Sequence, residues 1–179
     1  TDACLGFLEA SRLAHVDARL QQISGDRASK TMLIHSRIYT AASPFDAATS
    51  CVIHTHSVHC VALTLRRSLG DELLTPITPY FVMKVGHVPV IAYGRPGGPH
   101  VAGAVGEPIR RYGERGTPIR AVMLERLGPN VWHESPAQTM AVLVELEETA
   151  RLMLLSSTEP EPLDELRIDE LRRAFGARW

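Results

Sequence analysis

Cys51-Val52-Ile53-His54-Thr55-His56-Ser57-Val58-His59-Cys60 is the stretch on which the fold turns. The β-branched run from Ser50 to His54 reads as a short strand. Val58, Val61, Ala62 and Leu65 follow at helical spacing, so a helix begins almost at once. Side chains two apart on a strand share a face, and His54 and His56 would therefore project together at the strand's end. Two neutral imidazoles on one face make a partial site for zinc or a similar divalent ion. The same pattern also arises when one histidine faces solvent and the other is packed and hydrogen-bonded, and the pair alone leaves both readings open.

Working outward, Ser29 can cap a helix running through about Ala42, with Met32, Leu33, Ile34, Ile38 and Tyr39 on its apolar face. Ser43-Pro44 ends it. The helix after the histidine pair is expected to close near Ser68-Leu69-Gly70. Residues 70–80, with Thr75-Pro76 and Thr78-Pro79, read as a loop. Val88-Pro89-Val90-Ile91-Ala92-Tyr93 predicts an edge strand, since proline cannot donate to a ladder. A wide turn, Gly94 to Pro99, leads to a helix over roughly His100–Arg111. Ile119–Leu124 and Asn130–His133 are strand candidates. Ser135-Pro136-Ala137-Gln138 is a capping box that opens the longest helix, to about Leu155. Along it Met140, Leu143, Val144, Leu146, Ala150 and Leu154 are expected inward, and Glu145, Glu147, Glu148 and Arg151 outward. Residues 158–162 read as a linker, and Asp164–Phe175 as a terminal amphipathic helix. Before residue 28 the pattern is weak. Leu13, Val16, Leu20 and Ile23 fit helical spacing, yet Ser24-Gly25-Asp26 signals a turn. Strands interleaved with helices define an α/β domain.

With 179 residues, 45 % apolar and 22 % charged, the chain suits one globular domain, residues 1–157, followed by a linker and C-terminal helix, residues 158–179. A net charge of −1 supplies no basic field, so nucleic acid is not expected as a partner. No apolar run approaches the ~20 residues that span a bilayer, so no membrane partner is expected either. Cys4, Cys51 and Cys60 form no Cys-x-x-Cys unit and read as buried thiols of a cytoplasmic protein.

Several blocks carry a resemblance. They are Leu5-Gly6-Phe7-Leu8, Ser24-Gly25-Asp26 with Ser29-Lys30, His35 with Ile38-Tyr39, and His54-Thr55-His56-Ser57. Thr75-Pro76-Ile77-Thr78-Pro79-Tyr80-Phe81-Val82-Met83-Lys84-Val85-Gly86 follows, then Arg95-Pro96-Gly97 and the run from Glu145 to Leu152. In this order they resemble the class II aldolase/adducin family, and within it the 3-oxo-tetronate 4-phosphate decarboxylases. The resemblance implies a three-layer α/β/α domain with a central, mostly antiparallel sheet. It also implies a homotetramer with sites between subunits, a divalent metal (zinc foremost) held by histidines, and a small phosphorylated sugar or keto acid as substrate. His54 and His56 match two metal ligands, Ser29 and Lys30 match phosphate-binding positions, and Tyr80 matches a tyrosine that donates a proton.

Three positions depart from the family pattern. Thr31 stands where the resemblance implies the catalytic glutamate, and a threonine cannot act as a carboxylate base. Arg126-Leu127-Gly128 replaces an Asn-His-Gly turn, so Leu127 occupies the place of the third metal histidine. The family's Gly-Asn phosphate loop would precede Thr1, and its Thr-Pro block is reduced to Thr1-Asp2. Glu125 and His133 are the candidates for a replacement ligand, while His35 and His59 read as structural. Retro-aldol cleavage needs a base for the hydroxyl proton, whereas a β-keto acid loses CO₂ without one. The pattern therefore favours a decarboxylase. A degenerate member that serves as a scaffold or ligand-binding protein, and an aldolase with another substrate, are the alternatives.

Overall fold

The structure, a computed structural model, describes residues 7–66 and 70–179. A 3₁₀ turn, Ala10–Arg12, leads into a small hairpin of β1 (His15–Val16) and β2 (Gln22–Ser24). Helical spacing and a turn signal compete here. Local hydrogen bonds decide for the turn: Asp17 accepts from the N–H groups of Arg19 and Gln21, and the Gln22 amide donates to three carbonyls between Ser24 and Asp26.

Helix α1 covers Met32–Ala42, two turns of which are buried through Ile34, Ile38, Ala41 and Ala42. It starts later than expected, because the Ser29 hydroxyl is spent on Thr31 in a turn before the helix. Strand β3 (Cys51–His54) passes into α2 (Val58–Leu63). The expected close of that helix near residues 68–70 lies mostly outside the described residues, and the helix itself ends at Leu63. A π-helical turn, Phe81–Val85, precedes β4 (Val90–Ile91). Helix α3 (Pro99–Glu114), β5 (Ala121–Leu124), β6 (Gly128–His133), α4 (Pro136–Leu155) and α5 (Glu165–Phe175) complete the chain.

The main sheet has the order β3-β6-β5-β4, with two antiparallel pairings and one parallel pairing at the β4 edge. Its period of two sorts the core into layers. Val52, Val122, Leu124 and Trp132 pack beneath α1 and α3, while Ile53, Ala121, Met123 and Val131 face α2, α4 and the π-helical turn. A mostly antiparallel sheet between two helical layers is the architecture the sequence implied. Pro89 sits at the start of the edge strand, as its missing N–H requires.

Helix α4 is capped as read: Ser135 Oγ accepts from Gln138 N–H at 3.3 Å. Its buried face is made of Thr139, Val142, Leu143, Leu146, Thr149 and Ala150, so Met140 (48 % exposed) and Val144 (50 % exposed) point outward, contrary to expectation. Helix α5, capped by Asp164, packs on the π-helical turn, and Trp179 returns to the core, edge-on to Phe81 and stacked on His87 at 4.1 Å. The terminal helix is thus joined to the body through side-chain packing. Among the described residues no helix is long and apolar enough to cross a membrane.

Candidate active site at one end of the sheet

Strand direction decides which residues can meet. β3, β4 and β5 run one way and β6 runs against them, so the ends of β3, β4 and β5 and the start of β6 lie along one edge. That edge carries His54 and His56, Tyr93 to Arg95, and Glu125 to Gly128. Gly128 shows how tightly the turns cross: its φ is +131°, and a Cβ there would sit 1.9 Å from the Thr55 carbonyl oxygen. Only glycine permits the 126–128 turn to lie against the histidine segment.

His54 and His56 are brought together, their rings edge to face with centroids 5.4 Å apart. His54 Nδ1 lies 3.0 Å from the Pro129 carbonyl oxygen. A carbonyl can only accept, so Nδ1 carries the proton and Nε2 keeps its lone pair. Burial, aided by His56 and opposed by the bond to Pro129, holds His54 below the ordinary imidazole range, which keeps it a neutral donor. A ring held at one nitrogen with the other free is how proteins orient a metal-binding histidine. These two residues fit a divalent metal as half of a ligand set. Among the described residues no three His, Cys, Asp or Glu side chains gather closely enough to hold an ion.

The two replacement ligands fare differently. His133 pairs with Cys51, whereas His54 pairs with Asn130. Three residues of strand separate them, about 10 Å, so His133 lies at the wrong end of the sheet for this site. Its Nδ1 is also occupied, accepting the Glu134 N–H at 2.8 Å. Glu125 is at the right edge, but its Oε2 accepts from the Tyr93 N–H at 2.8 Å and its Oε1 is 3.5 Å from Arg126 Nε. It fastens the β4–α3 loop to the end of β5.

Ser29, Lys30 and Thr31 precede α1. Ser29 Oγ and Thr31 Oγ1 are 2.9 Å apart, and Lys30 is exposed. Gly97 (φ +73°) lies against Lys30, so closely that a Cβ would come 2.9 Å from the lysine Cβ. The starts of α1 and α3 therefore converge, with Lys30 between them. Tyr80 lies apart from this edge, 58 % exposed beside the π-helical turn, with Lys84 Nζ 5.1 Å from its ring centre. Within one chain it is not joined to His54 or His56 by any recorded contact.

Three further residues belong to the site's surroundings. His35 Nε2 and both amide atoms of Asn130 are buried without a hydrogen-bond partner in the protein. Asn130 faces His54 across the ladder, and His35 is held below its ordinary pKa by burial and then by His54. Buried polar atoms without a protein partner around one histidine are suited to being satisfied by solvent or an ion. Glu147 is the other: its Oε1 accepts from His59 N–H (3.0 Å) and Nδ1–H (2.9 Å), and its Oε2 from Cys60 N–H (3.1 Å). The sequence placed Glu147 on the wet face. Its spacing from Leu143 (i+4) and to Ala150 (i+3) was the available signal that it shares the buried face.

The comparisons with known proteins agree with one another. The family model for the Class II Aldolase and Adducin N-terminal domain matches residues 1–154. The 3-oxo-tetronate 4-phosphate decarboxylase of Cupriavidus necator H16 is 43 % identical over 185 residues, covering all of this chain and 80 % of that protein. Among solved structures, YgbL from Escherichia coli superposes with a TM-score of 0.84 at 33 % identity, over 96 % of this chain and 79 % of that one. An L-fuculose 1-phosphate aldolase shares the fold, with a TM-score of 0.77 at 18 % identity over 96 % of this chain and 75 % of its own.

Proposed function

Because the chain belongs to the class II aldolase and adducin family, we propose that it is a metal-dependent carbon–carbon lyase that decarboxylates 3-oxo-tetronate 4-phosphate to dihydroxyacetone phosphate. Its relatives are decarboxylases and aldolases, which makes it an enzyme, and the family generally depends on a divalent metal. The observation that carries the proposal is the His54–His56 pair, with His54 oriented by Pro129, in a chain whose length is covered by a decarboxylase.

His54 and His56 would hold the ion, zinc foremost. When bound, such an ion supplies a sink for electrons that develop on the substrate's oxygens. Ser29 and Lys30, at the converging helix starts, would hold the phosphate. The C1–C2 bond breaks, its electron pair stays on C2 in conjugation with the C3 carbonyl, and CO₂ leaves. A proton delivered to C2 then gives the product. Tyr80, more than half exposed, is the proposed donor, reached from a neighbouring subunit and recharged from water. No step requires a carboxylate at Thr31, which is why decarboxylation suits this chain better than retro-aldol cleavage. We further propose a cytoplasmic homotetramer, supported by the exposure of Tyr80, Met140 and Val144.

Metal analysis of the purified protein beside His54→Ala and His56→Ala variants is the test, together with dihydroxyacetone phosphate release from the keto acid. About one ion per chain, lost in both variants, and turnover reduced at least 10-fold in Tyr80→Phe are expected. Wild-type protein that stays metal-free after incubation with zinc sinks the mechanism. Thr31 and Leu127 support a second reading, a non-catalytic binding protein, and that result would favour it.

A further inference from the structure

Beside His56 lies a hollow of about 410 Å³, lined by His56, Arg126, Leu127 and, along and just past α2, Val58, Val61, Ala62 and Leu65. Apart from His56 and Arg126 its side chains are apolar. Arg126 is fixed from below in two ways. Its backbone holds φ at +63°, a left-handed conformation that is strained for a residue with a Cβ. Its N–H donates to the buried Thr64 hydroxyl at 3.0 Å, which pins the Cα at the rim. The side chain is 53 % exposed, and its ionic contact is a loose one, Nε to Glu125 Oε1 at 3.5 Å. Glu125 is meanwhile held by the Tyr93 N–H, so it cannot swing further onto the guanidinium. The two terminal nitrogens of Arg126 have no recorded partner among the described residues.

We propose that Arg126 anchors the carboxylate of a phosphorylated β-keto acid in this hollow, and that it selects such substrates over ketose phosphates that lack the group. The inference rests on the lyase reading above and names the residue that would make it a decarboxylase. A guanidinium is weakly hydrated and takes a carboxylate through two parallel N–H bonds, and apolar walls strengthen that pair by excluding water. Among the described residues that line it, Arg126 is the chain's own cation for a carboxylate, beside the ion that His56 would hold. When the C1–C2 bond breaks, the pair of electrons remains on C2 and the departing CO₂ is neutral. Arg126 loses its hold, and Val58, Val61 and Leu127 accept an apolar molecule. The phosphate, gripped elsewhere, keeps the rest of the substrate in place.

The test is calorimetric binding of two stable probes to the full chain, loaded with zinc, and needs no turnover. 4-Phosphoerythronate carries the carboxylate but, with its ketone reduced, cannot lose CO₂, and dihydroxyacetone phosphate lacks the carboxylate. Arg126→Asn is the informative variant, since asparagine tolerates positive φ and removes the charge without adding strain. Arg126→Lys retains the charge without the fork. The proposal expects Arg126→Asn to weaken 4-phosphoerythronate at least 10-fold, with dihydroxyacetone phosphate within 2-fold of wild type and Arg126→Lys in between. Equal weakening of both probes makes Arg126 a phosphate or structural residue and overturns the proposal, as does no change in either. Wild-type protein that binds neither probe overturns the lyase reading and the anchor with it.

Discussion

At position 127 a single side chain separates two chemistries. Leu127 lines the same hollow as His56, and the turn carrying it is pressed against Thr55 by Gly128. The backbone that would deliver a third imidazole is therefore in place, and Leu127→His should complete the ligand set without moving it. Zinc affinity is expected to rise at least 10-fold, read by competition with a chromophoric chelator. An unchanged affinity would mean that residue 127 does not face the His54–His56 pair. The closeness of the pair was legible in the sequence, although β3 ends at His54 and it is the stretch into α2, not strand alternation, that brings His56 beside it. His35 and Asn130 were not. A histidine on an apolar helix face reads as packed, and that its Nε2 ends up unpartnered beside His54 depends on how α1 lies over the sheet. Asn130 left one faint signal, a polar amide inside an apolar strand. The position of His133 was not legible, because sequence gives a strand's residues but not its partner's register, and register put it opposite Cys51.

At the level of elements, α2 is the piece that most needs help. Six residues are too few to hold a helix in water on their own. Glu147 supplies what the helix lacks, accepting two N–H groups of its first turn and the His59 ring at once. Because that turn begins two residues after His56, the same carboxylate steadies the histidine segment. Removing it in Glu147→Ala leaves part-buried backbone donors unpaired and should cost about 2 kcal/mol, seen as a lower urea midpoint with an unchanged slope. Glu147→Gln, which retains one acceptor oxygen, should cost about half as much. Equal stability of all three proteins would show that the clasp contributes nothing. Elements with strong local signals were read almost to the residue, α4 from its Ser-Pro cap and α5 from Asp164; the edge strand was placed correctly but holds only Val90–Ile91 of the six residues expected. The hairpin at residues 15–24 was not, since its turn is made by Asp17 and Gln22 side chains that outcompete a helical spacing of exposed residues.

Across the whole molecule, distant segments converge on one aromatic cluster. Glu72 accepts from His87 and from the Tyr112 hydroxyl, while His87 stacks between Tyr112 and Trp179. Burial alone would raise the Glu72 pKa, but these hydrogen bonds outweigh it and hold the carboxyl below its ordinary value. The loop after residue 70, α3 and the last residue of the chain are thereby fastened to the π-helical turn that follows Tyr80. What this joined body leaves uncovered is the outer stripe of α4. Met140 and Val144 are one turn apart and about half exposed, and beyond Glu148 Leu152 and Leu155 resume the apolar stripe toward its end. Single exposed apolar residues are ordinary on any surface; a stripe along the longest helix is what an obligate contact would bury. A tetramer of 19.7 kDa chains is the expected state by light scattering. Val144→Glu, which places a charge in that contact, should reduce the mass to that of a dimer or monomer while the far-ultraviolet circular dichroism stays unchanged, because the position takes no part in the internal core. If turnover depends on Tyr80 of a neighbouring subunit, it must fall with the mass. A Val144→Glu protein that remains tetrameric would move the interface away from α4, and one that is monomeric yet fully active would place the proton donor within the single chain.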